Sequence, residues 1–161
     1  MKIEDLRFRV SVDAKAPSVN HLYSRAGPKV FLTKQGKAFK SQLTAAVLRE
    51  TQNLPWKNAI HAVYWKKCTI KLTVFVYSTR FWNLSWKPGR TTIGKKTGRE
   101  SMQSPYQKVD VTNFGKIIED GIAAGTGIDD MHHHDVRYVL RPGTSPRVSI
   151  FYRVVKPYER T

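Results

Sequence analysis

The chain has 161 residues, 40% of them apolar, which suits one folded domain with a hydrophobic core and excludes a disordered chain. We expect no membrane span, because no run of roughly 18–20 apolar residues occurs, and no signal peptide, because charges interrupt the N-terminal region. The 28 lysines and arginines exceed the 12 acidic residues by a net charge of +16. Such an excess opposes compaction and indicates a polyanionic partner, nucleic acid before an acidic membrane or an acidic protein.

The cysteine content bears on the compartment. Cys68 is the single cysteine, which excludes an intramolecular disulfide and a zinc site built from several cysteines. It opens an alternating apolar run, so we interpret it as a core residue. We therefore expect a reducing compartment, most simply the cytoplasm.

The periodicity of apolar residues predicts the elements in chain order. Strands are predicted over 6–12, 30–32, 68–77, 134–140 and 147–155, the second of them short. One helix is predicted from an N-cap at Thr33 to about Glu50, and another from a cap at Thr112 or Asn113 to about Gly125. Apart from the short strand over 30–32, the order is roughly β-α-β-α-β-β, which predicts a single α+β domain over residues 1–161, with a mixed sheet and two main helices.

Each predicted helix has one apolar stripe that would face the core. The spacing of three and four residues selects Phe39, Leu43, Ala46 and Val47 in the first helix, and Phe114, Ile117, Ile118 and Ile122 in the second. The third strand alternates Ile70, Leu72, Val74 and Val76 on its buried face.

Half of the acidic residues lie in one short segment. Residues 110–135 include Asp110, Glu119, Asp120, Asp129, Asp130 and Asp135. Carboxylates placed together repel one another unless a cation or a basic partner neutralises them. The clustering therefore indicates either a cation site or a solvated acidic helix end.

Helix geometry places several of these groups together. Thr112, Lys116 and Asp120 recur every four residues and so share a polar face of the second helix. Asp110 precedes this helix, and a glycine-rich turn after it leads to Asp130. A helix that turns back onto a strand can bring Asp130 close to Asp110 and Lys116, which predicts a carboxylate cluster with one lysine.

Such a cluster suits phosphodiester hydrolysis. Mg²⁺ binds one or two carboxylates and keeps several waters, which leaves room for phosphate oxygens. It polarises the phosphate and lowers the pKa of a bound water, and a second metal can stabilise the leaving oxygen. Lys116 would counter the charge that develops on the phosphate. The alternative is structural: Asp110 caps the helix, and Asp129 and Asp130 form a turn.

Three short motifs occur along the chain. Residues 110–116, Asp-Val-Thr-Asn-Phe-Gly-Lys, followed by Asp120 and the pair Asp129-Asp130, resemble the Asp-x-Asp-Asn-x-x-Lys stretch, helix and Asp-Asp pair of the RusA family, in which the three motifs have the same order. Residues 16–23, Ala-Pro-Ser-Val-Asn-His-Leu-Tyr, resemble its Pro-Ser-x-Asn-x-x-Tyr element. Residues 33–39, Thr-Lys-Gln-Gly-Lys-Ala-Phe, resemble its Ser-x-x-Gly-x-x-Tyr helix start.

This resemblance implies a small, homodimeric, Mg²⁺-dependent endonuclease that resolves four-way (Holliday) DNA junctions in recombination and repair. Such enzymes occur largely in bacteria, phages and prophages, and we expect Mn²⁺ to replace Mg²⁺. Asp110 and Asp130 match metal-binding carboxylates of the family, and Lys116 matches its catalytic lysine. Asp129 matches the first member of the Asp pair and is expected to assist in catalysis and metal binding.

One position departs from the family pattern. The second carboxylate of the first motif is Thr112 here, followed by Asn113. A hydroxyl is a weaker, neutral ligand, so metal affinity should fall. Either Asp120 or Asp129 compensates as a metal ligand, or the enzyme is impaired; Thr112 and Asn113 then serve as helix cap or weak ligands.

The segment 78–108 loses periodicity and is rich in basic residues. Phe81, Trp82, Trp86 and Tyr106 are interleaved with them. Cations neutralise phosphates and release counterions, and aromatic faces stack on unpaired bases. We therefore expect this basic loop to contact DNA through Arg80, Trp82, Trp86, Lys87, Arg90, Lys95, Lys96, Arg99 and Lys108. The alternative is that the tryptophans pack into the core and the cations are solvated.

Three consecutive histidines, His132 to His134, follow the acidic pair. Their spacing does not match a usual zinc site. His132 or His134 would supplement Asp130 as a ligand or bind phosphate; alternatively, the three histidines begin a strand beside the site.

Two further functions remain open. A non-catalytic binder of branched DNA would bind junctions without Mg²⁺-dependent nicking, and the Thr112 departure favours it. A basic RNA-binding protein would explain the charge but not the aspartates. For a junction enzyme we expect recognition of shape and phosphates by a two-fold dimer.

Overall fold

The computed structural model describes residues 6–17, 23–26, 29–52, 56–65, 68–81, 87–93, 97–102 and 112–156. The helices are α1 (Lys34–Gln52), α2 (Trp56–Trp65) and α3 (Thr112–Thr126). The strands are β1 (Arg7–Val12), β2 (Tyr23–Ala26), β3 (Lys29–Leu32), β4 (Thr69–Ser78), β5 (Thr91–Ile93), β6 (Glu100–Met102), β7 (His133–Pro142) and β8 (Arg147–Val155). Short 3₁₀ turns occupy Thr79–Phe81 and Asp130–His132.

The principal sheet has four strands in the order β1-β8-β4-β7. β8 lies between β1 and β4 and is antiparallel to both, whereas β7 pairs with β4 in parallel. The sheet is therefore mixed, as the sequence predicts, and the α+β class is confirmed. Two small antiparallel ribbons, β2-β3 and β5-β6, lie outside it.

The core lies between one face of this sheet and the helices. The predicted buried positions of β4 are all buried, and so are the predicted apolar stripes of α1 and α3. Cys68 is buried with them, as expected. Period-two and period-four patterns thus identified the inner face of β4 and the packing faces of both main helices.

Local signals set the ends of these helices. The Thr33 hydroxyl accepts a hydrogen bond from the Gly36 N–H at 3.1 Å, which confirms the predicted N-cap of α1. At the C-terminal end of α3, Gly127 has a φ of 70°, and its N–H donates a hydrogen bond to the Ala123 carbonyl at 2.9 Å. A glycine tolerates this left-handed conformation without strain, so the chain can turn away from the helix there.

Helices α1 and α3 cross unusually closely at two glycines of α3. A Cβ added at Gly125 would lie 2.7 Å from the Val47 side chain, and one at Gly121 would lie 2.8 Å from Leu43. The Thr44 hydroxyl also donates a hydrogen bond to the Gly121 carbonyl at 3.2 Å. The absent side chains let α1 pack directly against the α3 backbone.

Strand β2, helix α2 and the β5-β6 ribbon were not predicted. Helix α2 is short, and a ten-residue helix is marginal alone; it is held by Trp56, which is buried and donates its indole N–H to the Thr126 carbonyl at 2.6 Å. The β5-β6 ribbon lies in the segment that we predicted to be a loop, and its residues are exposed, so no apolar alternation reveals it. None of the described helices is long and apolar enough to cross a membrane.

Candidate active site

A lysine between two aspartates forms the centre of the candidate site. Lys116 and Asp120 lie one turn apart on α3, and Asp130 lies in the 3₁₀ turn after it. The Lys116 Nζ is 2.8 Å from Asp120 Oδ1 and 2.8 Å from Asp130 Oδ2. The predicted approach of Asp130 to Lys116 is therefore present in the structure.

The electrostatics of this trio depend on the shared ammonium. Asp120 Oδ1 and Asp130 Oδ2 both contact the Lys116 Nζ and therefore lie close to each other. The ammonium group between them offsets the repulsion of the two carboxylates. The hydrogen bonds that Lys116 donates to Asp120 and Asp130 raise the pKa of Lys116, and the one to Asp130 lowers the pKa of Asp130. The Lys116 side chain is 58% exposed, so water screens these pairs and their contribution to stability is small.

A second helix supplies another cation to the same place. Lys40 of α1 places its Nζ 3.9 Å from Asp120 Oδ2, on the side of that carboxylate away from its Lys116 contact atom. Asp120 is thus held between cations of two helices. The packing of α1 on α3 therefore places a second cation beside the trio.

Helix α2 holds the turn that carries Asp130. The Asp129 N–H donates to the Tyr64 hydroxyl at 3.2 Å, and the His132 ring lies edge-on to the Tyr64 ring at 4.6 Å. The Asp129 carboxylate accepts the Met131 N–H at 3.0 Å and so caps the 3₁₀ turn. This capping agrees with the structural interpretation of Asp129; its part in metal binding stays a prediction.

Behind the exposed trio lies a more buried polar group on α3 and β7. The Tyr138 hydroxyl is 2.7 Å from Glu119 Oε1 and 3.3 Å from the Gly115 carbonyl. His133 is buried, with its Nδ1 3.7 Å from Glu119 Oε2, too far for a good hydrogen bond. His133 and the Tyr138 hydrogen bond lower the pKa of Glu119, while burial and Glu119 raise the pKa of Tyr138.

Replacing Tyr138 with phenylalanine is expected to lower the free energy of unfolding by about 1–2 kcal/mol at neutral pH, because Glu119 loses a charge-assisted hydrogen bond. The folded-state pKa of Glu119 is lowered. Its contribution is therefore complete above the unfolded carboxyl pKa and disappears as the pH falls through the folded value. Urea unfolding from pH 7 to pH 3 should show the difference between the two proteins shrinking in acid.

The matched control is Tyr77→Phe on the opposite face of the sheet, where the ring stacks under Arg147 and no described hydrogen bond is removed. Its expected change is within about 0.5 kcal/mol at every pH. If both variants lower the free energy of unfolding equally, or if the effect of Tyr138→Phe persists in acid, the assigned contact with Glu119 is contradicted.

The other predicted ligands are described in part. Asp110 lies outside the described residues. Thr112 is the first residue of α3 and Asn113 the second, and their role as helix cap stays a prediction. The side chains of Thr112 and Asn113 are not described either, and their role as weak ligands stays a prediction.

The described donors suit a divalent cation in type but are few. No group of three or more His, Cys, Asp or Glu side chains that could hold a metal occurs within the described residues. Asp120 and Asp130 nevertheless present two carboxylates at one exposed place, and Mg²⁺ needs only one or two such ligands beside its waters. A third carboxylate would have to come from Asp110 or from a shift of Asp129.

Only part of the predicted basic loop is described. Lys87, Arg90 and Arg99 are exposed, as a DNA contact requires, and Arg80 lies in a 3₁₀ turn with its side chain not described. Trp82, Trp86, Lys95, Lys96 and Lys108 lie outside the described residues, as does Tyr106. Phe81 corrects one expectation: it is buried against Phe114 with ring centroids 6.2 Å apart, so it packs in the core and cannot stack on a base.

The three histidines have different surroundings. His132 contacts Tyr64, His133 is buried at the start of β7, and His134 is exposed. The expectation that they begin a strand beside the site is met by His133 and His134. Sequence reasoning missed the buried group of Glu119, Tyr138 and His133, because contacts between a helix and a strand carry no local spacing signal.

Comparison with protein-family models and with curated proteins gives no match to this chain. The resemblance to the RusA family therefore depends on three short motifs in a shared order. Any function must be argued from the site itself and from the charge of the molecule.

Proposed function

We propose that this protein is a divalent-metal-dependent endonuclease that cuts branched DNA, resolving four-way junctions by paired symmetric nicks. The observation that carries the proposal is the Lys116 ammonium at 2.8 Å from both Asp120 and Asp130. A strongly basic protein that places two carboxylates and a lysine at one exposed point has the groups that phosphodiester hydrolysis needs. The motif resemblance adds Asp110 and Asp129 to this set.

The residues would divide the chemistry as follows. Asp120 and Asp130, with Asp110, would hold Mg²⁺, which supplies a polarised phosphate and a bound water of lowered pKa. Metal binding would take over the neutralisation of these carboxylates, which frees Lys116 to contact a phosphate oxygen. In that position its charge would offset the negative charge that develops during the reaction.

The substrate class follows from charge and symmetry. A net charge of +16 favours a nucleic acid partner, with affinity that falls as salt rises. A two-fold dimer would present two such sites to a four-way junction, whose own symmetry is close to two-fold. Paired nicks in opposite strands are the expected product.

A second candidate is a junction-binding protein without nuclease activity. Two observations favour it: Thr112 stands where the family pattern has a carboxylate, and the described residues bring only two carboxylates together around Lys116. This candidate predicts tight junction binding with no metal-dependent cleavage.

The proposal is tested by metal binding and by substrate choice. Titration with Mn²⁺, followed by electron paramagnetic resonance, should show a bound ion that weakens in Asp120→Asn. Cleavage in Mg²⁺ should be much faster on a four-way junction than on linear duplex of the same sequence, and structured RNA should compete poorly. Failure to bind Mn²⁺, or equal cleavage of junction and duplex, would contradict the proposal.

Replacing Thr112 with aspartate is expected to lower the Mg²⁺ concentration for half-maximal cleavage about tenfold, because a charged oxygen ligand replaces a neutral one. Cleavage of a labelled junction across a Mg²⁺ titration measures this. Thr144→Asp adds the same charge at an exposed position between β7 and β8 and should leave the Mg²⁺ dependence unchanged. An identical titration curve for Thr112→Asp and wild type would exclude position 112 from the metal site.

A further inference from the structure

The face of the principal sheet that points away from the helices is strongly basic. Alternate residues of its four strands turn outward, and the cations among them are exposed. Seven of these outward residues are cations: Arg7, Arg9, Lys71, Arg137, Arg141, Arg147 and Arg153. Within the described residues of the four strands, Asp135 is the one acid. We call these eight positions, with the aromatic residues between them, the outer face.

The strand register places like charges side by side. Arg7 of β1 lies opposite Arg153 of β8, which lies opposite Lys71 of β4. Neighbouring strands are about 4.8 Å apart, and like charges directly opposite one another destabilise a sheet. This row of four residues ends at Asp135 of β7, whose carboxylate pairs with Lys71 at 2.8 Å. The row therefore holds three cations, Arg7, Arg153 and Lys71, and one anion.

Aromatic rings lie among these cations. Phe151 is 38% exposed, and the Arg9 guanidinium lies 4.6 Å from its ring centroid. Arg147 lies over Tyr77 at the same distance, and Phe75 meets Phe151 edge-on at 5.6 Å. A groove of about 530 Å³ runs between the side chains, lined by Arg7, Arg9, Lys71, Thr73, Phe151 and Arg153.

The outer face is separate from the candidate active site. Tyr138 of β7 points to the inner face, where its hydroxyl reaches the Gly115 carbonyl of α3, and α3 carries Lys116. The flanking residue Arg137 points outward, in the same row as Thr73 and Phe151. The sheet therefore stands between the two surfaces.

Charge decides what can cover the outer face. A second copy of the chain docked through the same face would oppose cations to cations, which disfavours a face-to-face dimer. A polyanion offsets the repulsion within the Arg7, Arg153 and Lys71 row. The aromatic rings and guanidinium planes on this face offer a surface on which unpaired bases can stack. The bases of a closed duplex are already stacked on one another and cannot use it.

We propose that the outer face binds a single-stranded segment of nucleic acid, with phosphates on the cations and bases against Phe151 and the arginine planes. This binding does not require the candidate active site. It would remain if the nuclease proposal failed.

The electrostatic part is tested with fluorescently labelled 20-nucleotide oligothymidine and oligouridine, titrated by the full chain at several salt concentrations. Arg7→Gln/Arg153→Gln should reduce the steepness of the salt dependence by about 1.4, because each single-strand phosphate contact contributes about 0.7. Lys34→Gln/Lys37→Gln removes two exposed charges from α1 and should leave the steepness unchanged. Binding of either oligonucleotide supports the proposal and the stronger one identifies the nucleic acid; binding of neither overturns it.

A folding defect would not imitate this result. Because Arg7 and Arg153 face each other, the double variant should melt no lower than the wild type. A loss of binding with undiminished melting temperature supports the outer face. Equal losses in the sheet variant and the α1 variant would show that only net charge matters, and would overturn the proposal.

The stacking part is tested by Phe151→Leu, which keeps apolar bulk but removes the ring. Single-strand affinity should fall about tenfold, while Phe31→Leu, at a phenylalanine 46% exposed in β3, should change it less than twofold. Duplex of the same length should bind more weakly than either oligonucleotide. Duplex binding as tight as single-strand binding, with Phe151→Leu unchanged, would overturn the single-strand assignment.

Discussion

Replacing Asp130 with asparagine is expected to lower the rate of metal-dependent junction cleavage by about a thousandfold or more. A bound metal supplies several kilocalories per mole of transition-state stabilisation, and about 1.4 kcal/mol corresponds to a factor of ten in rate. The change also removes a partner of Lys116 that the structure places at 2.8 Å. Single-turnover cleavage of a four-way junction in Mg²⁺ measures the effect, and junction affinity should be retained.

The matched control is Asp135→Asn. Asp135 also pairs with a lysine, Lys71, at 2.8 Å, but on the outer face of the sheet. This variant removes the same charge and the same kind of ion pair. Measured with the junction saturated by protein, so that binding through the outer face does not affect the rate, its cleavage should stay within about threefold of the wild type. If both variants lose activity equally, the Lys116 cluster has no special part in the reaction.

Replacing Gly125 with alanine is expected to lower the free energy of unfolding by about 2 kcal/mol or more. The added Cβ would lie 2.7 Å from Val47 side-chain atoms and 3.0 Å from the Thr44 carbonyl oxygen. The backbone oxygen cannot move alone, so α1 and α3 must separate, at a cost of typically 1–3 kcal/mol or more. This exceeds the gain of about 1 kcal/mol in helix propensity. Urea unfolding measures the change.

Gly115→Ala, in the same helix, is the control. Its Cβ would meet the Tyr138 hydroxyl at 3.4 Å and Glu119 at 3.5 Å, which is ordinary van der Waals contact. The propensity gain should therefore leave this variant as stable as the wild type, or more so, by up to about 1 kcal/mol. A stabilised Gly125→Ala protein would contradict the close crossing of α1 and α3.

The sequence was most informative where one element carries its own pattern. The strand predicted over 147–155 has those bounds in the structure, and α1 begins after the predicted cap at Thr33. Helix α2 was missed because it depends on the indole of Trp56 reaching the end of α3, a contact 70 residues apart in sequence. The close crossing of α1 and α3 at Gly125 could not be predicted either, since a glycine that admits a neighbouring helix has no periodic sequence pattern.

Part of the candidate site could likewise be predicted from the sequence, and part could not. The Lys116 and Asp120 pair follows from four-residue spacing on a helix, and the approach of Asp130 follows from the reversal after α3. The contact of Tyr138 with Glu119 and the row of Arg7, Arg153 and Lys71 require the register of separate strands. That register is set by the assembled core, and no local spacing encodes it.

The most direct test of the central claim is strand-resolved cleavage of a synthetic four-way junction by the wild-type protein. Each strand is labelled in turn, and the reaction is run with Mg²⁺, with Mn²⁺ and without metal. We predict nicks at symmetric positions in two opposite strands, present with either metal and absent without one. A junction that is bound but stays intact in both metals would contradict the nuclease function and leave a binding protein.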